Sequence, residues 1–410
     1  MTITLERKKE FRQGGATKGE TAMLKTTQLQ DEMTAWRHDF HRRPELQFDL
    51  NSTSDLVVDL LASFGLEVHR GLGQTGVVGI LQKGNGTRSI GIRADMDALP
   101  IHEANAFKYR SQTDGQMHAC GHDGHMAMAL GAAKYLANHG EFNGRAVFIF
   151  QPNEEFGEGA AAMISDGLFT QFPVDEVFGM HNIPGMPVGH FATRAGPITA
   201  SEALFEIKIT ARGGHAALPH MGVDAITVGA EVVGALQTIV ARKLDPAQNG
   251  VVSVTEFITD GKRNVLPGSA TLSGDARALT PETNTGIEAS MRMIVDGICA
   301  AHGVSGTVSY NTIFPPTINA SGAARAAVEA AHGVADRVDG DCPPKLFSED
   351  FAHMANAVPG AFVLMGNGVE GSFARPLHSA DYDFNDAALV PGSSYWVSLV
   401  EQQLQGDPDV

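Results

Sequence analysis

A cysteine and a histidine two residues apart, Cys120 and His122, sit in the glycine-containing segment HACGHDGH (118–125). Thiolate and neutral imidazole both suit a borderline-soft divalent cation such as Zn²⁺. Two adjacent carboxylates, Glu154 and Glu155, and two further histidines, His181 and His378, supply enough ligands for two ions. Imidazole and carboxylate would equally suit Mn²⁺, Co²⁺ or Ni²⁺. A Glu-Glu pair also allows a division of labour, with one carboxylate on metal and its neighbour free as a general base. A bound cation lowers the pKa of its water from about 16 to about 7, and a nearby carboxylate can finish the deprotonation. The two side chains must then diverge, which irregular backbone after a strand permits and one helix face does not.

Each residue also has a plainer reading. Cys120 alone could be a buried structural thiol. Glu154 and Glu155 alone could be a solvated charge pair, and a lone histidine a satisfied core residue. Cys120 with His122 could also be nucleophile and base of a cofactor-free thiol hydrolase, but Glu155, His181 and His378 would then have no role. A metal-holding protein without catalysis is a third reading, and the spare Glu154 argues against it.

Position in the chain separates these readings. Apolar periodicity predicts helices over 29–43 and 54–64, then strands over 77–81, 90–94, 146–150 and 174–180. Helices over 126–138 and 160–166 alternate with them, the rhythm of βαβ units and a mostly parallel sheet covered on both faces. Ligands in such sheets bind beyond the carboxyl ends of the strands. Asp95 and Asp97, Glu154 and Glu155, and His181 follow three of the predicted strands, and 118–125 lies just before a helix. Near Gly196 the pattern changes. A strand over 203–211, a helix over 224–242, strands over 251–257 and 270–276, a helix over 281–302 and a strand over 307–313 make a ferredoxin-like βαββαβ unit. It reads as a lid or dimerisation domain (196–313) inserted into a catalytic domain (29–195 and 314–410). The resumed pattern has helices over 323–334 and 349–357, a strand over 361–365 with His378 beyond it, and a tail helix over 393–404.

Composition narrows the partners. The 410 residues are 43% hydrophobic and 19% charged, enough for a large core. A net charge of −17 excludes a phosphate-backbone binder and fits a small substrate. No run of 18 apolar residues predicts a membrane span. Residues 1–28 lack an apolar signal core and read as a disordered extension. Three cysteines, Cys120, Cys299 and Cys342, make no disulfide framework, so a reducing, cytoplasmic compartment is expected.

Together the motifs RADMDALP (93–100), MHACGHDGH (117–125), QPNEE (151–155), GMHN (179–182), GGHAALPH (213–220), FPPTIN (314–319), SEDF (348–351) and LHSADYDFND (377–386) resemble one family. It is the hippurate hydrolase, N-acyl-amino-acid amidohydrolase and auxin-conjugate hydrolase group of the dinuclear aminoacylase and carboxypeptidase G metallopeptidases. The resemblance implies hydrolysis of the amide bond of an N-acyl amino acid, with two divalent ions per subunit, Zn²⁺ or Mn²⁺ first. Cys120 would bridge them, His122 and His181 would complete one site, and Glu155 and His378 the other. Glu154 would be the general base and Asp97 would orient a ligand. His215 would polarise the substrate carbonyl, often from a partner subunit, so a homodimer or higher homo-oligomer through the inserted domain is expected. Asn264, Arg277 and His220 would contact substrate, although Asn264 also reads as a turn former and Arg277 as a partner of Asp275. Asn153 stands where the family usually has Ala, and Ser379 and Ala380 where Asn-Pro is usual.

Overall fold

Strands that are buried at every position can only sit inside a covered sheet, and Ser89–Asp95 is such a strand. The computed structural model describes residues 26–335 and 337–405. Nearly all of the expected N-terminal extension lies outside the described residues. In chain order the elements are helices α1 (Gln30–Arg42) and α2 (Asn51–Ser63), then strands β1 (Glu67–Leu72), β2 (Gly76–Lys83) and β3 (Ser89–Asp95). Helix α3 (His122–His139), β4 (Gly144–Gln151), α4 (Gly159–Ser165), β5 (Glu176–Pro184) and β6 (His190–Ala192) follow. The inserted unit comprises β7 (Ser201–Thr210), α5 (Ala225–Thr238), β8 (Gly250–Thr259), β9 (Ser269–Ala278), α6 (Pro281–Ala301) and β10 (Ser305–Phe314). Helix α7 (Ser321–His332), β11 (Arg337–Asp339), α8 (Phe351–Ala357), β12 (Gly360–Gly368) and α9 (Leu389–Gln403) complete the first unit.

The main sheet has eight strands in the order β1-β2-β4-β3-β5-β12-β6-β11. Its centre, β4-β3-β5-β12, is parallel, as expected. Its margins are not: β1 and β2 pair antiparallel, β2 pairs β4 antiparallel, and β6 runs against β12. The sheet is therefore mixed. Strand β1 carries no apolar run because it is an edge with Glu67 and Arg70 exposed, a common protection against stray pairing. Helices α1, α3, α7 and α9 cover one face around Met33, Met128, Ala327 and Trp396. Helices α4 and α8 cover the other around Met163 and Met354.

The inserted sheet is antiparallel in the order β8-β9-β7-β10, the ferredoxin-like arrangement. Alternate residues Ala203, Phe205, Ile207 and Ile209 of β7 are buried under α5 and α6. Helix α5 buries Ala225, Val228, Val232 and Leu236, one stripe at helical spacing. Its expected continuation to Arg242 is a π-helical turn over Ile239–Lys243. By length and composition alone Ala225–Lys243 could cross a membrane, but its buried stripe belongs to this core.

One buried ion cluster ties α1 to the start of α3. The Arg37 guanidinium, inaccessible to solvent, pairs with Asp123 at 3.1 Å and Asp383 at 3.5 Å, and with Asp386. His41 contacts Asp123 at 2.8 Å through Nδ1 and Glu103 at 3.2 Å through Nε2. Burial disfavours a charged His41, but Asp123 and Glu103 outweigh it and raise its pKa to about 9. Because the folded value exceeds the unfolded one, this stabilisation is complete below about pH 6.5 and vanishes as pH rises through 9. The pH-dependent advantage of wild type over His41→Gln should reach ~3 kcal/mol in urea melts at low pH and disappear above the folded pKa. An advantage that does not change with pH would contradict the pairing.

Candidate metal centre and active site

The residues expected to hold metal come together at the carboxyl ends of the parallel strands. Cys120 precedes Gly121, which caps α3 with φ 98°. A Cβ at Gly121 would lie 2.3 Å from Asn182 Oδ1, so this turn admits glycine alone. His122 is the first residue of α3, so half of 118–125 lies inside the helix rather than before it. His181 is not beyond its strand but within β5, which stays paired with β12 through Pro184. His378 adopts φ 64° and its backbone N–H donates to Ala119 O at 2.8 Å, which ties its loop to the Cys120 loop.

The contacts define two triads sharing one sulfur. Cys120, His122 and His181 offer ligand atoms within 4.8 Å of one another, and so do Cys120, Glu155 and His378. Cys120 Sγ is 3.2 Å from His181 Nε2 and 3.3 Å from His378 Nε2. Glu155 Oε2 is 3.4 Å from His378 Nε2. Atoms bound tetrahedrally at ~2 Å to one ion stand ~3–4 Å apart. His122 Nδ1 lies 2.8 Å from the Asp97 carbonyl oxygen and His181 Nδ1 2.8 Å from that of Asn182. Each Nδ1–H therefore donates to a carbonyl and each Nε2 presents a lone pair to the site. His122 Nε2 and Glu155 Oε1 are buried without hydrogen-bond partners. Orphaned lone pairs aimed at a shared thiol are what a divalent cation requires, so this donor set fits two ions.

Asp97 holds the carboxylate loop in place. Its Oδ1 accepts from the backbone N–H of Glu154 at 3.0 Å and its Oδ2 from that of Glu155 at 3.1 Å. The preceding Asn153 has φ 51°, a left-handed conformation that Asn tolerates better than most residues. Its carbonyl accepts from Gly159 N at 3.1 Å. The two glutamates then diverge, Glu155 toward His378 and Glu154 toward the backbone N–H of Asp350, 3.3 Å from its Oε1. Burial first, then Glu349, Glu155 and Asp350, push Glu154 well above the usual carboxylate range. Burial also lifts Glu155 to about 7, against the pull of His122. Burial and both glutamates push the Cys120 thiol up. These acids, crowded in low dielectric, call for positive charge at their centre.

Around these residues lies a second layer in which His125 was open to a supporting role from sequence and Arg93, Asn182, Glu349 and Asp350 had none assigned. Arg93, fully buried, donates to Gln151 at 2.8 Å, Asp95 at 2.7 Å, Glu349 at 2.8 Å and Asp350 at 3.0 Å. His125 bridges Asp95 Oδ1 at 2.6 Å and Asn182 Oδ1 at 2.8 Å. Asn182 in turn donates to the Tyr382 hydroxyl at 2.6 Å. The signal was present, since Arg93 and Asp95 stand in RADMDALP and Glu349 and Asp350 in SEDF.

A cavity of about 490 Å³ opens over these groups, lined by Cys120, Glu154, Glu155, His181 and His378 on one side and Glu202, Arg277, Phe314 and Ser348 on the other. Arg277 thus reaches the site, while also pairing with Asp275 and Glu202. His215, His220 and Asn264 are not among its lining residues. His215 is exposed in a short ladder of Gly214–His215 with Val265–Leu266, and Asn264 O accepts from Ala216 N beside it. His220 is exposed in the turn Pro219–Met221.

Residues 91–402 match peptidase family M20/M25/M40. Hippurate hydrolase of Campylobacter jejuni is 39% identical over 92% of this chain and 98% of its own length. An IAA-amino acid hydrolase of Arabidopsis thaliana is 33% identical over 93% of this chain and 88% of its own length. Among solved structures, the Bacillus subtilis YXEP protein, described as a dinuclear metal binding peptidase, superposes with a TM-score of 0.81 at 30% identity, covering 92% of this chain and 99% of that one.

Replacing Asp97 with Asn leaves one oxygen to accept two backbone N–H groups. Asp97→Asn should lower metal affinity or turnover by about 10–100-fold with the fold retained. Calorimetric metal titration and circular dichroism check this, and unchanged affinity and turnover would refute the role.

Proposed function

The chain belongs to peptidase family M20/M25/M40, and from that premise we propose that it hydrolyses the amide bond of hippurate-type N-acyl or N-aroyl amino acids. At the coarser level it is a metal-dependent amidohydrolase acting on N-acyl amino acids. The observation that supports the hydrolytic reading is Glu154, a buried carboxylate beside two candidate triads that share Cys120 and do not include it, although it also stands in candidate groups with His122 and Glu155 and with Glu349 and Asp350.

We assign Cys120, His122 and His181 to one ion and Cys120, Glu155 and His378 to the other, with Zn²⁺ or Mn²⁺ suited to the mixed sulfur, nitrogen and oxygen donors. Such ions supply Lewis acidity and make water acidic near neutral pH. Glu154 accepts a proton from the attacking water as the new C–O bond forms. It returns that proton to the nitrogen as the C–N bond breaks, leaving a carboxylic acid and a free amino acid. Asp97 keeps the Glu154 backbone fixed through the cycle. Phe314, Phe347 and Leu377 give the cavity apolar surface for an acyl or aroyl group. The thiol-hydrolase alternative is disfavoured because burial holds the Cys120 sulfur protonated in the absence of cations.

His215 lies outside this cavity, so its contribution to the substrate carbonyl would come from a partner subunit. A homodimer through the inserted unit agrees with the exposed apolar residues Ile226, Phe257, Ile258 and Val265 on that unit. Three unpaired buried cysteines agree with a cytoplasmic setting.

Glu154→Gln should retain full metal content yet lose about 10²–10⁴-fold of turnover, tested on a panel of benzoyl, acetyl and indoleacetyl amino acids. Wild-type rates in that variant would remove Glu154 from the reaction. Activity surviving exhaustive chelation would restore the thiol reading. Light scattering at micromolar concentration should give twice the 43.4 kDa chain mass, and a monomer would exclude His215 acting in trans.

A further inference from the structure

The cavity wall opposite the ligands comes from the inserted sheet, and strand register decides what it presents. Arg277 of β9 lies directly across from Glu202 of β7, and Phe314 of β10 lies across from Glu202 on the other side. Directly paired residues share a sheet face, and this row lines the cavity together with Ser348.

Each nitrogen of Arg277 is engaged by the chain itself. Its Nε donates to Asp275 Oδ2 at 2.8 Å and its Nη2 faces Glu202 Oε1 at 3.1 Å. Its Nη1 donates to Ser348 Oγ at 2.9 Å and to Leu346 O at 3.4 Å. Ser348 Oγ donates in turn to Glu202 Oε2 at 2.8 Å, which fixes that carboxylate in place. The other Asp275 oxygen, Oδ1, is buried with no hydrogen-bond partner. One guanidinium is therefore shared between two carboxylates, of which Glu202 lines the cavity and Asp275 does not. A substrate carboxylate reaches Arg277 only in competition with Glu202 and Asp275, and displacing Glu202 leaves that carboxylate facing the substrate. A substrate carrying both a carboxylate and a cation complements the Arg277–Glu202 pair.

We propose that Glu202 is a specificity-determining residue that selects N-acyl derivatives of basic amino acids, with lysine-, ornithine- or arginine-type side chains. The inference rests on the hydrolase reading above and names its substrate class. Glu202 binds the side-chain cation, and Ser348 and Arg277 hold Glu202 toward it.

The test uses the full-length protein with added Mn²⁺ or Zn²⁺ and N-acyl derivatives of lysine, norleucine and glutamate sharing one acyl group. Wild type should have a higher kcat/KM for the lysine than for the norleucine or glutamate derivative, and equal rates on lysine and norleucine would overturn the role of the cation. In Glu202→Gln and Glu202→Ala the lysine-to-glutamate ratio should fall by about tenfold or more, mainly through KM, with metal content and melting temperature kept. Calorimetric binding of the same derivatives to Glu154→Gln protein should follow the wild-type order. Turnover with the same ratio in wild type and both variants overturns the proposal, as does a wild-type preference for glutamate. No turnover of any derivative by wild type removes the hydrolase reading, and this proposal falls with it. The isosteric Gln variant keeps the test valid should the Ala variant be unstable.

Discussion

Buried carboxylates in excess of the buried counter-charge around them are the constraint on which this structure turns. Moving a carboxylate out of water costs several kcal/mol per ion even after relaxation. This chain buries Asp95, Asp97, Glu154, Glu349 and Asp350 along one sheet edge, with Glu155 close behind. The protein supplies a cation on one side of that group, Arg93, bonded to Asp95, Glu349 and Asp350. A separate cluster does the same for Asp123, with Arg37 and His41. At the centre no Lys or Arg among the described residues takes that part. Imidazole lone pairs, a thiol and Glu155 face one another there instead. That arrangement suits divalent cations.

Placement of the acids follows from topology. Parallel strands deliver their carboxyl ends to one edge, and β3, β4, β5 and β12 each bring a different loop or residue to it. Loops are ordinarily mobile, and a centre with bonds of ~2 Å tolerates little motion. Here they are pinned from inside: Asp97 grips two consecutive N–H groups, and His378 N–H is bonded to Ala119 O. Glycine does the rest, because a Cβ at Gly159 would lie 1.6 Å from Pro152 O. The loop carrying Glu154 folds back on itself only with hydrogen at that position.

Much of this was legible in the sequence because it is local. Apolar runs marked β3, β4 and β12, and the alternation over 203–211 marked a half-buried strand that the structure places at Ser201–Thr210. Cys120, His122, Glu155, His181 and His378 were legible as a group because their motifs stand beside those strands. What was not legible depends on non-local pairing. His181 lies inside β5 because β12 pairs that far along it, and nothing near residue 181 says so. Strand β1 has no apolar signal, since its partner β2 rather than its own composition makes it a strand. The second layer around Arg93 joins residues more than 250 positions apart, as between Arg93 and Glu349 (|i−j| = 256). Asp275 was visible as a neighbour of Arg277 two residues along one strand. Glu202 was not, because only the β7–β9 register sets them side by side.

That division has a consequence for how the site can vary. The proposed metal ligands and base belong to the main unit, where most of them are buried and exchange of a buried one leaves a partner unsatisfied. The facing wall belongs to the inserted sheet, where Glu202, Asp275 and Arg277 are only partly buried and point away from their own core. Substitution on that face leaves Phe205, Ile207 and Leu272 packed as before. It changes the charge presented to substrate without touching the ligand loops. A one-residue slip of β7 against β9 would instead turn Glu202 inward and Ala203 outward, which the buried stripe forbids. The register that stabilises the inserted unit therefore also fixes which side chains face the cavity, while leaving their chemistry open to change.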